Sequence, residues 1–155
     1  LEIIFNTSES HQQIAVAVGQ MWKQTLGIDT TLANQEWQTF LDTRKQGNFE
    51  IARAAWCADY NEASSFLDIA TSNSEANDFR YVNPDFDALI DRALTVSDPL
   101  ADYQAAEEML ARDVPIIPIY FYASNFLLND AVRGWPMENA QQYWYAKDMW
   151  RVAEQ

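Results

Sequence analysis

Apolar and polar positions along the chain switch repeatedly between the period of a strand and the period of a helix. Leu1-Glu2-Ile3-Ile4-Phe5 is a short apolar run that predicts a strand, and Asn6-Thr7-Ser8 ends it with turn and capping chemistry. Ile14, Val18, Met21, Trp22 and Thr25 then fall on one helical stripe. Ser8 or Ser10 is placed to cap its start, and Gly27 sits where a left-handed C-terminal cap belongs. Ile28, Thr30 and Leu32 alternate as a second strand. Asn34 is placed to cap a second helix with the stripe Trp37, Phe40, Leu41 and Arg44, ending near Gly47, and residues 49–55 read as a third strand. This order, β-α-β-α-β, predicts an α/β fold with a parallel sheet flanked by helices.

The pattern then loosens. Residues 61–80 read as a polar loop with one helical turn at Phe66-Leu67. Asn83-Pro84 opens a helix with Phe86, Leu89, Ile90, Ala93 and Leu94 inward. Asp98-Pro99 repeats the signal for a helix with Leu100, Tyr103, Ala106, Leu110 and Val114 inward, which Pro115 ends. Residues 116–122 predict a buried strand, placed at an edge by Pro118, with 126–128 as a short partner. The aromatic residues from Trp135 to Trp150 show no helical period.

Composition bounds what such a chain does. At 155 residues it can bury one core, and at 48% hydrophobic, 14% aromatic and four Gly it is globular. No apolar run approaches the roughly 20 residues of a membrane helix. The net charge is −13, and residues 61–155 hold 16 acidic against 6 basic residues. A surface so anionic repels nucleic acid and anionic lipid, which sets both aside as partners. The single Cys57 excludes an internal disulfide.

The candidate chemistry lies at the end of the third predicted strand. On an extended chain Arg53, Ala55, Cys57 and Asp59 share one face, with a guanidinium at one end and a carboxylate at the other. A short zwitterionic peptide lying alongside would meet Asp59 with its ammonium and Arg53 with its carboxylate. From the residues alone, Asp59 fits a turn cap at Tyr60-Asn61 equally well. Arg44 and Arg53 fit solvated surface charges, His11 an ordinary residue at a helix start, and Trp37 and Trp56 core aromatics. In parallel sheets, ligands bind beyond the carboxyl ends of the strands, where Asp59 and His11 both fall.

The run Phe49 to Glu62, with Asn34-Gln35-Glu36-Trp37 and Phe40-Leu41-Asp42-Thr43-Arg44 before it, resembles the periplasmic oligopeptide-binding proteins, the solute-binding receptors of peptide ABC importers. The likeness covers the whole chain as the C-terminal part of a much longer receptor. It implies a class II periplasmic-binding-protein fold, with residues 1–122 as part of the C-terminal peptide-binding lobe. Residues 123–155 would return to an N-terminal lobe lying outside this sequence. The chain begins at Leu1 inside a hydrophobic strand, with neither Met nor signal peptide, and is expected to be a fragment.

The resemblance also assigns roles. Asp59 takes the peptide α-ammonium, Arg53 the carboxylate of a short peptide with Arg44 close by, and His11 lies where a longer peptide ends. Trp37 and Trp56 wall the pocket, and Ala55 and Cys57 add main-chain hydrogen bonds in a strand-addition mode. Ala55 departs from the family's glycine. No cofactor and no metal are expected. The partners expected are the peptide and an inner-membrane ABC permease, and the location is the periplasm. The closest rival is a receptor of the same superfamily for a dipeptide, a murein peptide or an oligosaccharide. Others are a stable domain without a ligand and a thiol enzyme using Cys57 and His11. No nucleophile signature surrounds Cys57, and nothing else in the chain would orient the histidine.

Overall fold

In the computed structural model the described residues are 1–136 and 143–152. They form two compact units, one of residues 1–56 with 69–88 and one of residues 57–68 with 89–155. Each is described in turn.

The first unit is built on a three-stranded parallel sheet in the order β2-β1-β3, with β1 Glu2–Asn6, β2 Thr31–Gln35 and β3 Ile51–Ala52. The central strand is apolar without alternation because both its faces are covered. Ile3, Ile4 and Phe5 are all buried. Helix α1 Glu9–Leu26 and helix α2 Trp37–Gln46 make the two crossovers. Ile3, Phe5 and Ala15 form one cluster with Val18, Trp22 and Ile51 around it. Phe40 is the fully buried residue of α2.

The α1 stripe differs from expectation. Ala15 and Gly19 are its buried positions, and Met21 is exposed. The cause is close approach: a Cβ at Gly19 would clash with Thr30 Oγ1, so the helix rides on its smallest residues. Gly27 and Gly47 cap α1 and α2 in the left-handed conformation, as the sequence predicts. The N-termini differ. Ser8 is the N-cap of α1, but its hydroxyl pairs with Ser10 Oγ at 3.0 Å and makes no capping bond. The N-cap of α2 is Glu36, not Asn34. Its carboxylate accepts from the Gln38 and Thr39 N–H groups, while Asn34 Oδ1 accepts from the Thr7 hydroxyl at 2.6 Å. The ladder holds the chain extended through Gln35, opposite Asn6, so the helix starts later.

The expected third strand is cut to two residues. Ile51 and Ala52 pair with Ile3 and Ile4, the Arg53 N–H donates to the Ile4 carbonyl at 2.9 Å, and residues 53–58 leave the ladder. The alternating face expected for Arg53, Ala55, Cys57 and Asp59 therefore does not form. Residues 71–81 complete this unit around Asn77. Its side-chain amide donates to the Thr71 and Tyr81 carbonyls and accepts from the Tyr81 N–H.

The second unit holds the short helix α3 Ser64–Leu67, the 3-10 turn Asp68–Ala70 that begins in it, and helix α5 Leu100–Asp113, packed on α3. Helix α4 Pro84–Ala93 crosses the division after Ala88. As expected, Asn83 caps α4, its Oδ1 accepting from Asp85 and Phe86 N–H groups, and Pro84 is the first helical residue. Phe86, Ile90 and Ala93 are buried on α4, and Tyr103 and Ala106 on α5, whereas Leu94, Leu100 and Val114 are exposed. Asp87 accepts the Ser72 N–H at 2.9 Å.

Residues 116–122 and 126–128 form no strand. Pro115 and Pro118 remove backbone donors, and among the described residues no strand pairs with the segment. Most of its side chains are exposed instead, Phe121 by 99% and Leu127 by 103%. The strands found here are β4 Val132–Arg133 and β5 Trp150–Arg151, an antiparallel pair. The expected segment 123–155 lies partly outside the described residues, at 137–142 and 153–155.

Candidate functional site

In the first unit, Trp37 opens α2 and stays half-exposed, its ring stacked on Phe40 at 6.2 Å and 28°. One turn further, the Arg44 guanidinium lies 5.6 Å above the same Phe40 ring. Trp37, Phe40 and Arg44 thus form one ladder along the helix, because residues three and four apart are neighbours on its surface. Arg44 Nη2 also meets Asp78 Oδ2 at 2.8 Å, with side-chain exposures of 19% and 15%. Arg44, which the resemblance places close to Arg53, is thereby joined to the 71–81 segment.

That segment grips α2 a second time. Arg80 Nη2 donates to the Gln46 carbonyl at 2.9 Å and the Lys45 carbonyl at 3.3 Å, capping the helix end. Arg80 itself has φ 55°, a conformation that costs a non-glycine residue about 1–2 kcal/mol. Its guanidinium lies where a side chain at Gly47 would stand.

His11 is on the first turn of α1, its Nδ1 3.4 Å from the Asn6 carbonyl at the end of β1. Arg53 is half-buried and fixed to β1 through its own N–H. Ala55 and Trp56 follow outside the ladder, both exposed.

In the second unit, Cys57 is an exposed free thiol and Asp59 is exposed. The Asp59 N–H donates to Ser65 Oγ at 2.7 Å, and Ser65 is only 3% exposed. Ser64, equally buried, ties the same turn together: it bonds the Tyr60 hydroxyl at 2.8 Å, and its own hydroxyl donates to Glu62 Oε2. The Ser64 N–H donates to Glu62 at 2.8 Å, and the Tyr60 hydroxyl donates to Asp68 Oδ2 at 2.9 Å. Tyr103 of α5 reaches this network as well, bonding Glu62 and Ser64.

The network shifts its own titrations. Desolvation pushes the Glu62 carboxyl up, but bonds from the Ser64 and Tyr103 hydroxyls and from the Ser64 and Ala63 N–H groups outweigh it. The net result is below the ordinary glutamate range. Burial raises Tyr103, and its bond to the Glu62 carboxylate raises it further. Tyr60 is raised first by burial and then by Asp68.

Sequence reasoning did not single out Asp78, Arg80, Ser64 or Ser65, nor a bonding role for Glu62 and Tyr103. The pair Glu62 and Ser64 carried a local signal, an acid two residues before a serine at a helix start. Asp78, Arg80 and Tyr103 carried none, because their partners are remote in sequence. Among the described residues no group of His, Cys, Asp or Glu is arranged to hold a metal ion, and no helix is long and apolar enough to cross a membrane.

Residues 1–78 match the family model for bacterial extracellular solute-binding proteins, family 5, middle region. The chain is 44% identical to the periplasmic murein peptide-binding protein MppA of Escherichia coli, over 98% of this chain and 29% of that protein. It is 41% identical to the periplasmic oligopeptide-binding protein OppA of the same organism, over 98% of this chain and 28% of that protein. The crystal structure of Haemophilus influenzae OppA in complex with RPPGFSPFR superposes with a TM-score of 0.82 at 36% identity, over 98% of this chain and 31% of that one. The chain spans less than a third of the length of these relatives. The α/β fold with a parallel sheet is the one expected from the sequence.

Proposed function

Since the chain belongs to family 5 of the bacterial extracellular solute-binding proteins, we propose that it is the C-terminal portion of a periplasmic receptor that captures short peptides for an ABC importer. The observation that carries this reading is that the chain leaves the sheet after Ala52 with Trp56 exposed, and that Asp59, in the second unit, is exposed with its backbone N–H held by buried Ser65. Asp59 takes the α-ammonium that every peptide carries, and Arg53 takes the carboxylate of a short one with two parallel hydrogen bonds. Ala55 and Cys57 supply main-chain groups along the peptide. Trp37 and Trp56 contact side chains without selecting one, and His11 meets the end of a longer ligand. The reading involves no bond making, no cofactor and no metal.

We also assign residues 1–122 to the C-terminal lobe and 123–155 to a return into the N-terminal lobe of the longer receptor. The exposed Phe126, Tyr143 and Trp150 support this, since aromatic side chains bury about 150–250 Å² each when covered.

The test uses a receptor of family length that carries this sequence. Closure of a second lobe would bury the Asp59–ammonium pair, and breaking such a pair from one side costs about 3–5 kcal/mol. Asp59→Asn is expected to weaken calorimetric binding of free trialanine at least a hundredfold, and that of N-acetyl-trialanine far less. Equal losses for both would remove the ammonium role. A murein peptide is the second reading, favoured by the identity to MppA. Direct competition between trialanine and a murein tripeptide separates the two.

A further inference from the structure

Arg44 enters the peptide-binding reading as a cation beside Arg53, yet its charge is already met inside the first unit. The Asp78 carboxylate lies 2.8 Å away on one side and the Phe40 ring lies under the guanidinium on the other. Both members of the pair are largely withdrawn from water. Asp78 is not on a loose loop. The Asp78 N–H donates to the Ala76 carbonyl at 2.9 Å, and the Arg80 N–H to the Asn77 carbonyl at 3.1 Å. The Asn77 amide bridges Thr71 and Tyr81, and Arg80 anchors the segment to the last carbonyls of α2. These bonds fix the Asp78 main chain beside Arg44.

Resting on the peptide-binding reading, we propose that Asp78 is a specificity-determining residue: by pairing with Arg44 it withholds that cation from the ligand and selects against peptides with an anionic group there. A guanidinium has donors for two carboxylates. The second would, however, leave a net negative charge in a poorly hydrated place, with two like charges crowded on one cation. Rejection by such a juxtaposed like charge is a common source of discrimination between ligands. The pair presents a neutral surface instead, and the ligand carboxylate is left to Arg53.

The test is a set of tetra-alanine peptides with a single Glu or Gln at position two, three or four. Each is titrated into the family-length receptor carrying this sequence, as wild type, Asp78→Asn and Asp78→Ser. Both substitutions remove the charge, Asn with nearly the same shape and Ser with a smaller side chain, so one serves if the other disturbs the turn. At one peptide position the Glu-to-Gln affinity ratio is expected to rise at least tenfold in both variants. The rise is expected to vanish when Arg44→Gln is added, which shows that it runs through the guanidinium. Unchanged ratios at every position, in variants that still bind the Gln peptides, overturn the proposal and leave the peptide-binding reading standing. A wild-type receptor that binds none of the peptides overturns both.

Discussion

The hydroxyl of Ser65 offers a direct measure of how firmly the Asp59 loop is held. Ser65→Ala deletes the acceptor of the Asp59 N–H, a bond of 2.7 Å to a side chain buried to 3% exposure. Leaving a buried donor unmet costs about 1–3 kcal/mol. Asp59 is itself exposed, so water can reach part of the loop, which favours the low end, about 1 kcal/mol. At 1.4 kcal/mol per factor of ten, that is roughly a fivefold loss of protection against hydrogen exchange at one amide. Exchange followed by NMR at neutral pH reads this residue by residue. The Asp59 amide is expected to exchange faster, while the Phe66 amide, bonded to the Ala63 carbonyl inside the turn, keeps its rate. The Tyr60, Ser64 and Glu62 bonds do not pass through Ser65, and their signals should stay in place. An unchanged Asp59 rate would refute the idea that this bond holds the loop. Equal acceleration at Asp59 and Phe66 would show that the serine matters for packing the turn, not for holding Asp59.

Two further perturbations probe the elements around the site. Glu62 titrates below the ordinary glutamate value, so its contribution to stability is present above about pH 4.5 and is lost as pH falls through its lower folded value; Tyr103→Phe, which removes one of its donors, should move the Glu62 titration upward in a carboxyl NMR experiment, and no movement would contradict the assignment of that bond. Gly47→Ala should destabilise by about 1–2 kcal/mol from its φ of 70° alone, with a further clash against Arg80; urea unfolding should show a smaller loss when Arg80→Ala is already present, and equal losses would exclude the clash.

The elements legible in the sequence were those whose cause is local. Gly27 and Gly47 marked helix ends because only glycine takes the left-handed cap without strain. Asn83-Pro84 marked a helix start because both residues act on the first turn. The strands were less legible. Residues 49–55 and 116–122 both carry strand-forming side chains, yet one gives two ladder residues and the other none. A strand exists only where another strand offers partners, and β1 serves β3 only through Ile3 and Ile4.

The candidate site divides in the same way. By itself the sequence determined the α/β order, the family resemblance and the chemical types at Arg53, Asp59, Trp37 and Trp56, since these rest on periodicity and on side chains in their own stretch. Only the tertiary structure decided that Arg44 is paired with Asp78, that Arg80 closes α2, and that Ser65 holds the Asp59 backbone from a turn reached by Tyr103. A charge or a hydroxyl in a sequence names what it can bond. Which bond it makes depends on which residues, remote along the chain, are brought within about 3 Å after the core has packed.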